Sequence, residues 1–136
     1  MQRSPLQSVS RALYDRLHLA ITRGGRTIDV FAYVTEGQKF PYISLGTATS
    51  VDDSTASEYV REVRISIDYW SRYPGDAELQ ELMDAGLQRL INGTFPSLGA
   101  EFALIDMTLE DEDIFVLADG RTRHGYQLYR LLIEQL

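Results

Sequence analysis

The sequence contains no cysteine among its 136 residues. Disulfide bonds, thiolate metal sites and a cysteine nucleophile are therefore excluded. Histidine is almost as scarce, because only His18 and His124 are present, and they lie too far apart for a metal-binding pair one helical turn apart. No glycine string matches a phosphate-cradling loop, so neither common type of nucleotide site is expected.

The chain also has few basic residues and no long apolar run. The chain has 13 basic and 20 acidic residues, a formal net charge of -7, and Lys39 is its single lysine. Gripping a phosphate backbone needs clustered basic residues, so that function is disfavoured, although nucleic acid can still pass the protein. No apolar run approaches the roughly 20 residues needed to cross a bilayer, and no apolar signal core follows the N-terminus. We therefore expect a soluble domain made in the cytoplasm.

The residues that are present predict one domain spanning 1–136, since 44% are hydrophobic and a core can form. Two segments carry apolar residues at helical spacing. The first begins at Ser4 and Pro5 and is expected to end at Gly24 and Gly25. The second begins at Asp76 and is expected to close at residues 92–93.

The other segments alternate between apolar and polar residues or are short apolar runs, as is typical of strands. The predicted strands are residues 27–34, 42–47, 59–70, 102–109, 114–117 and 122–135. An acidic run, Glu110, Asp111, Glu112 and Asp113, is expected to interrupt the strand structure, and Asp119-Gly120 predicts a hairpin turn. The order α-β-β-β-α-β-β-β predicts an α+β fold, in which two helices pack on a mostly antiparallel sheet.

The last predicted strand is apolar on both of its faces. Tyr126 and Leu128 point one way, whereas Tyr129 and Leu131 point the other. A strand of this kind lies inside a sheet or is covered by another subunit.

Several acidic residues invite a chemical interpretation. The acidic run lacks the alternating ligands and central glycine of a calcium loop, so a solvated turn is favoured over a weak divalent-cation site shared between subunits. Asp52 and Asp53 lie in a polar connection over residues 51–57, and an acid/base pair with Glu58 is a disfavoured alternative.

His124 and Asp68 are the remaining candidates. A catalytic histidine needs a nucleophile or carboxylate within reach, and the sequence identifies none, so a structural role for His124 is favoured. Asp68 lies close to Trp70, Arg72 and Tyr73, and these three residue types are enriched at interface hot spots. No catalytic, cofactor-binding or metal-ligating set is predicted, and we expect a protein that is not an enzyme.

Three segments, in order, resemble the phage tail terminator or tail completion proteins, which join tails to heads in long-tailed phages and prophages. Residues 40–46, Phe-Pro-Tyr-Ile-Ser-Leu-Gly, are similar to a Pro-Tyr strand segment of that family. Residues 63–72, Val-Arg-Ile-Ser-Ile-Asp-Tyr-Trp-Ser-Arg, are similar to the strand before its second helix, and residues 119–125 to the turn before its last strand. The resemblance extends over residues 6–134, but the acidic run has no counterpart in it.

The resemblance implies a structural virion protein without a cofactor. Such proteins form a ring, typically of six subunits, on the end of the tail tube, where they stop tube polymerisation and present a surface to the head connector. DNA passes through the lumen without specific binding. The implied location is the neck end of the virion tail, after assembly in the host cytoplasm.

On this interpretation, the residues expected at subunit or partner interfaces are Trp70, Arg72, Tyr73, Asp52, Asp53, Glu110, Asp111, Glu112 and Asp113. The nearest alternative function is another neck protein, for head completion or as a connector. A small acidic enzyme or ligand-binding domain centred on His124 is the alternative of a different class.

Overall fold

A computed structural model describes residues 1–92 and 94–136 of the chain. Its helices are α1 (Leu6–Leu17) and α2 (Ala77–Leu90). Its strands are β1 (Thr22–Arg23), β2 (Arg26–Thr27), β3 (Asp29–Phe31), β4 (Tyr42–Asp52), β5 (Tyr59–Ser71), β6 (Phe102–Val116) and β7 (Arg123–Gln135).

Five of the strands form one sheet in the order β3-β4-β5-β7-β6. The short β3 runs parallel to β4, and the other three neighbouring pairs are antiparallel. Strands β1 and β2 form a separate small hairpin. The predicted α+β class, with two helices and a mostly antiparallel sheet, is confirmed.

Both helices pack on the same face of this sheet, which we call the covered face. Alternate residues of the central strands point to it, and they form one core with the apolar stripes of the helices. The completely buried members of this core include Leu13, Leu17, Ile65, Ile67, Tyr69, Leu79, Leu82, Tyr129 and Leu131. Gly86 of α2 lies directly over Tyr69, because a Cβ built at Gly86 would come within 1.9 Å of the phenol oxygen.

The opposite face carries neither helix, and we call it the open face. Its residues are the other half of the alternation: Glu62, Arg64, Ser66, Asp68 and Trp70 of β5, with His124, Tyr126, Leu128, Arg130 and Leu132 of β7. All ten are half-buried. Strand β7 lies between β5 and β6, which confirms that the strand with two apolar faces is an interior one.

Hydrogen bonds from two arginine side chains connect the C-terminal ends of the two helices. Arg16 Nε donates to the carbonyl of Arg89 at 3.1 Å, and Arg89 Nε donates to the carbonyl of Arg16 at 2.8 Å. Carbonyls in the last turn of a helix have no partner within that helix, so each arginine caps the other helix.

The first predicted helix starts where expected but ends earlier. It stops at Leu17, and Leu19 then adopts a left-handed conformation with φ of 59°. Gly24 and Gly25, which were expected to end the helix, form the tip of the β1–β2 hairpin with φ of 60° and 77°. Two consecutive positive φ angles are what a tight two-residue hairpin requires, so this glycine pair is a hairpin signal.

The predicted strand over residues 27–34 is also wrong in its extent. Only Asp29–Phe31 joins the main sheet, while Arg26–Thr27 belongs to the hairpin. Strand β4, in contrast, continues beyond its predicted end to Asp52.

The acidic run does not interrupt the strand structure. Strand β6 continues through residues 110–113 and pairs with β7 over its whole length, with register shifts at Leu104/Asp106 and Leu109/Asp111. Bulges of this kind bend an edge strand without ending it, and carboxylates are accommodated because the strand lies at the sheet edge, facing water. The expected turn at Asp119-Gly120 does lie between β6 and β7.

The second predicted helix is confirmed from Ala77 onwards and ends at Leu90. The expectation that Gly93 closes it falls outside the described residues.

Candidate functional site

A row of aromatic rings crosses one end of the open face. Tyr42, Trp70, His124 and Phe115 occupy directly paired positions on β4, β5, β7 and β6. The Trp70 and His124 rings stack at 4.0 Å and are nearly parallel, while Tyr42 stacks on Trp70 at 6.1 Å. Phe115 meets the imidazole edge-on at 4.9 Å. This aromatic row brings together four strands that are distant in sequence.

Hydrogen bonds fix the middle of the aromatic row. The His124 Nε2 atom lies 2.8 Å from Asp68 Oδ1, and the Ser66 hydroxyl donates to Asp68 Oδ2 at 3.3 Å. The Trp70 indole N–H donates to the Ser44 hydroxyl at 3.0 Å. The serine contacts the carboxylate and not the imidazole, so these groups do not form the nucleophile–base pair that an acyl-transfer enzyme needs.

Arg72 extends the row at its Tyr42 end. Its guanidinium lies 4.4 Å from the centre of the Phe40 ring, and Phe40 in turn packs against Tyr42 at 5.1 Å. Arg72 Nε also donates to the Thr122 hydroxyl at 3.2 Å. Burial raises the pKa of Tyr42 above its ordinary value near 10.

Tyr73 lies apart from Trp70 and Arg72, the two interface candidates that precede it in the sequence. Tyr73 is 44% exposed, and the centre of its ring lies 5.5 Å from the guanidinium of Arg23. Arg23 also forms ion pairs with Glu78 at 2.9 Å and Glu81 at 2.7 Å. Tyr73 therefore packs against Arg23, which is ion-paired with α2, whereas Trp70 and Arg72 belong to the aromatic row.

Charged residues form a network farther along the open face. Arg64 pairs with Glu110 through two hydrogen bonds of 2.8 and 3.1 Å, and it also contacts Glu62. Arg130 donates to the other Glu62 oxygen at 3.1 Å. Hydrogen bonds from the arginines lower the pKa of both Glu62 and Glu110. The network therefore links β5, β7 and β6 across the face.

The rest of the acidic run has neutral partners. Asp111 accepts a hydrogen bond from the Tyr126 hydroxyl at 3.0 Å, which raises the pKa of that phenol. Asp113 accepts from the backbone N–H of Ile114 at 2.8 Å. Within residues 1–92 and 94–136, no ion pair involves Asp111, Glu112 or Asp113, and no cluster of three or more potential ligands is arranged to hold a metal ion.

Asp52 and Asp53 lie at the far end of the sheet from the aromatic row. Asp52 was predicted to lie in the polar connection over residues 51–57, but it is the last residue of β4. It accepts a hydrogen bond from the Ser54 backbone N–H at 3.1 Å, and its hydrogen bonding with Ser54 lowers its pKa. Asp53 follows the strand and is held through its backbone to Val60 at 2.9 Å.

The nine predicted interface residues thus occupy different parts of the surface. Trp70 and Arg72 belong to the aromatic row, Tyr73 packs against Arg23, Asp52 and Asp53 lie at the opposite end, and the acidic run lies along the β6 edge. Tyr42 and Phe115 were not predicted as interface residues, and His124 was predicted to have a structural role of its own. A pairing register was needed to connect them, because each residue belongs to a different strand.

Neither helix among the described residues has the length and apolar character required to span a membrane.

The chain has the fold of a protein in the solved virion of a native gene transfer agent particle, with a TM-score of 0.81 at 17% sequence identity. The match covers 98% of this chain and 99% of that one. No curated protein gives a significant sequence match. The family model described as tail completion protein gp17 matches residues 7–134. Because this match includes nearly the whole chain, the protein belongs to the tail completion protein gp17 family.

Proposed function

We propose that this protein forms a closed ring of six copies that caps the completed tail tube, stops further polymerisation and provides the surface for joining the tail to the head. Membership of the tail completion family gives the chain a structural role in the virion tail. The family match over residues 7–134 is the observation that carries the proposal. The fold shared with a chain of a gene transfer agent virion supports it.

The open face supports assembly with further protein. Tyr126, Leu128 and Leu132 are half-buried there, although neither helix covers them. Sheet faces exposed to water on one side usually alternate cleanly between apolar and polar residues, so apolar side chains on the uncovered side favour a covering subunit.

The surface charge supports the passage of DNA. The three carboxylates of Asp111, Glu112 and Asp113 are exposed. A negative surface repels phosphates, so DNA slides along it without being bound. We propose that acidic side chains line the lumen of the ring, and that Trp70, Arg72, Tyr73, Asp52, Asp53 and residues 110–113 contribute to contacts with the tail tube, the head connector or neighbouring subunits.

Deletion of the gene in the producing particle system tests the terminator role. We expect overlong tails that fail to join heads, seen by electron microscopy, and rescue by the gene supplied in trans. Tails of normal length beside heads that leak DNA would instead assign the protein to the head side of the neck and contradict the proposal.

Native mass measurement tests the ring separately. We expect a six-copy species, either alone or bound to purified tail tubes. A monomer at every concentration, combined with no binding to tubes, would contradict the proposal.

A further inference from the structure

The five-stranded sheet has two long stretches of unpaired strand edge. Strand β6 pairs with β7 on one side only, so its other edge is open from Phe102 to Val116 among the described residues. Strand β3 covers β4 only at Tyr42–Ser44, so residues 45–52 have no second strand beside them in that part of the chain, and the Ser50 carbonyl accepts a hydrogen bond from Arg61 Nη2 at 3.2 Å. Open edges of this length present rows of backbone N–H and C=O groups that pair readily with another strand.

The directions of the two edges are compatible with each other. Strand β4 is antiparallel to β5, β5 to β7 and β7 to β6, so β4 and β6 run in opposite directions. A rotation that generates a ring leaves each copy in the same orientation relative to the ring axis. Strand β6 of one copy would therefore meet β4 of the next as an antiparallel pair, which is the more stable kind of ladder.

Charge favours the pairing of β6 with β4 over a symmetric pairing of two β6 edges. Two β6 edges related by a two-fold axis would bring one acidic run opposite another, and like charges directly opposite are destabilising. The open stretch of β4 has no carboxylate from Leu45 to Val51, where the sequence is Leu-Gly-Thr-Ala-Thr-Ser-Val. It is therefore an edge that the acidic β6 can approach without that repulsion.

Exposed apolar side chains occur on both edges. Ile105, Phe115 and Val116 of β6 are 44–47% exposed, and Val51 of β4 is 57% exposed. Carboxylates protect the middle of β6 against unwanted pairing, but Ile105, Phe115 and Val116 lie outside that acidic stretch. These side chains gain burial if the two edges pair.

We propose that the open edge of β6 pairs with the open edge of β4 in a second copy of this chain, so that the sheets join head to tail. This inference rests on the proposed ring and specifies the β6–β4 contact between neighbouring copies, which we call the seam. The two edges are different surfaces, so the contact is heterologous, and it repeats from copy to copy until the ring closes.

The absence of cysteine allows a direct test by disulfide cross-linking. Thr49 of β4 and Asp111 of β6 are both exposed and on the open face. Within one chain, three strand spacings of about 4.8 Å each keep these strands roughly 14 Å apart. A disulfide needs Cα atoms within about 7 Å, so a bond between the two positions forms only between copies.

The experiment compares the T49C/D111C double variant with its two single variants after mild oxidation of the full chain. Because the register is to be determined, T108C and D113C replace D111C in parallel double variants. We expect at least one double variant to give a ladder of covalent oligomers that ends at the ring. The single β6 variants are expected to stay monomeric on a denaturing gel.

The possible results distinguish a failure of the proposed seam from a failure of the proposed ring. A ring by native mass with no ladder from any double variant would overturn the seam and leave the proposed function intact. A dimer from the single D111C variant, which would show two β6 edges together, would also overturn the seam. A protein that is monomeric at all concentrations and does not bind tail tubes would overturn the seam and the ring together.

A proline substitution gives a second test without cysteine. The Ile114 N–H donates to Asp113 and so points away from β7, and residues two apart in a regular strand point their N–H groups the same way. E112P therefore removes an outward N–H without removing a backbone hydrogen bond to β7, and it also removes the 3.4 Å hydrogen bond that the Glu112 carboxylate accepts from Gln127 Nε2. We expect E112P to lower the assembled fraction at least tenfold while the control E112A, which loses the same carboxylate but keeps the N–H, assembles normally. Equal assembly of a folded E112P variant would overturn the seam.

Discussion

The two faces of the main sheet are formed by alternate residues of the same strands, yet they differ in what stabilises them. The covered face is a layer of completely buried side chains beneath two helices, and Ile65, Ile67 and Leu131 are typical of it. The open face has ion pairs, hydrogen bonds and stacked rings among half-buried residues such as Arg64 and Trp70. Burial determines the stability of the first face, and the second has the adaptable contacts suited to association.

Neighbouring leucines of β7 give the largest expected contrast. Leu131 is completely buried on the covered face, whereas Leu132 is half-buried on the open face. We expect L131A to lower the free energy of unfolding by about 3–4 kcal/mol, because it leaves a cavity in the core. The matched L132A variant is expected to lose about 1 kcal/mol. Urea denaturation measures both, and equal losses would contradict the assignment of the two faces.

Gln127 is the next most sensitive position. Its buried side-chain oxygen accepts hydrogen bonds from the Tyr69 and Tyr129 hydroxyls at 2.7 and 2.8 Å, and its amide donates to the Met83 carbonyl at 2.8 Å. We expect Q127L to lower the free energy of unfolding by about 2–3 kcal/mol, because buried polar groups lose their partners.

The control for Gln127 removes the two hydroxyls first. In a Y69F/Y129F background, Q127L is expected to cost clearly less, because no hydroxyl is left without an acceptor. The same cost in both backgrounds would indicate that the side-chain shape of Gln127 matters and its hydrogen bonds do not.

The same tyrosines predict the response to alkaline pH. Burial raises the pKa of Tyr69 and Tyr129 above the ordinary value near 10. The folded protein therefore keeps them protonated, and their contribution to stability is present below about pH 10 and decreases as the pH rises above it. We expect phenolate absorbance to show these two of the eight tyrosines ionising together with unfolding. Smooth ionisation of all eight in a folded protein would contradict the prediction.

The smallest effect on stability is expected in the aromatic row. H124A removes one stacked ring from the open face, which should cost about 1 kcal/mol. Trp70 is the only tryptophan, so tryptophan fluorescence reports on the surroundings of this one ring, which include His124. We expect its emission to shift in H124A and to stay unchanged in H18A, because His18 stacks on Tyr14 elsewhere. An unchanged emission in H124A would contradict the stacked geometry.

Local patterns in the sequence were sufficient for much of the fold. The alternation in β5 and β7 and the helical spacing in α2 predicted those elements nearly to the residue. The same patterns were insufficient where tertiary context dominates. Gly24 and Gly25 suit either a helix end or a hairpin, and the hairpin forms because the helix has already stopped at Leu17.

Long-range pairing explains what the sequence analysis could not predict at the candidate site. The acidic run was expected to leave the sheet, but at an edge facing water carboxylates are compatible with a strand. The aromatic row depends on the register of four strands, and neither spacing nor residue type indicates that register. Single residues such as Trp70 were identified as candidates, whereas their neighbours Tyr42 and Phe115 were not.

The exchange of arginines between the two helices has a consequence for local unfolding. If the last turn of α1 frays, Arg16 is lost as a donor to α2 and its carbonyl is lost as an acceptor for Arg89. Both caps then fail in the same event, and fraying of α2 has the same result. The C-terminal turns of α1 and α2 should therefore open as a single cooperative unit, with matching hydrogen-exchange protection, although some 70 residues separate them in the chain.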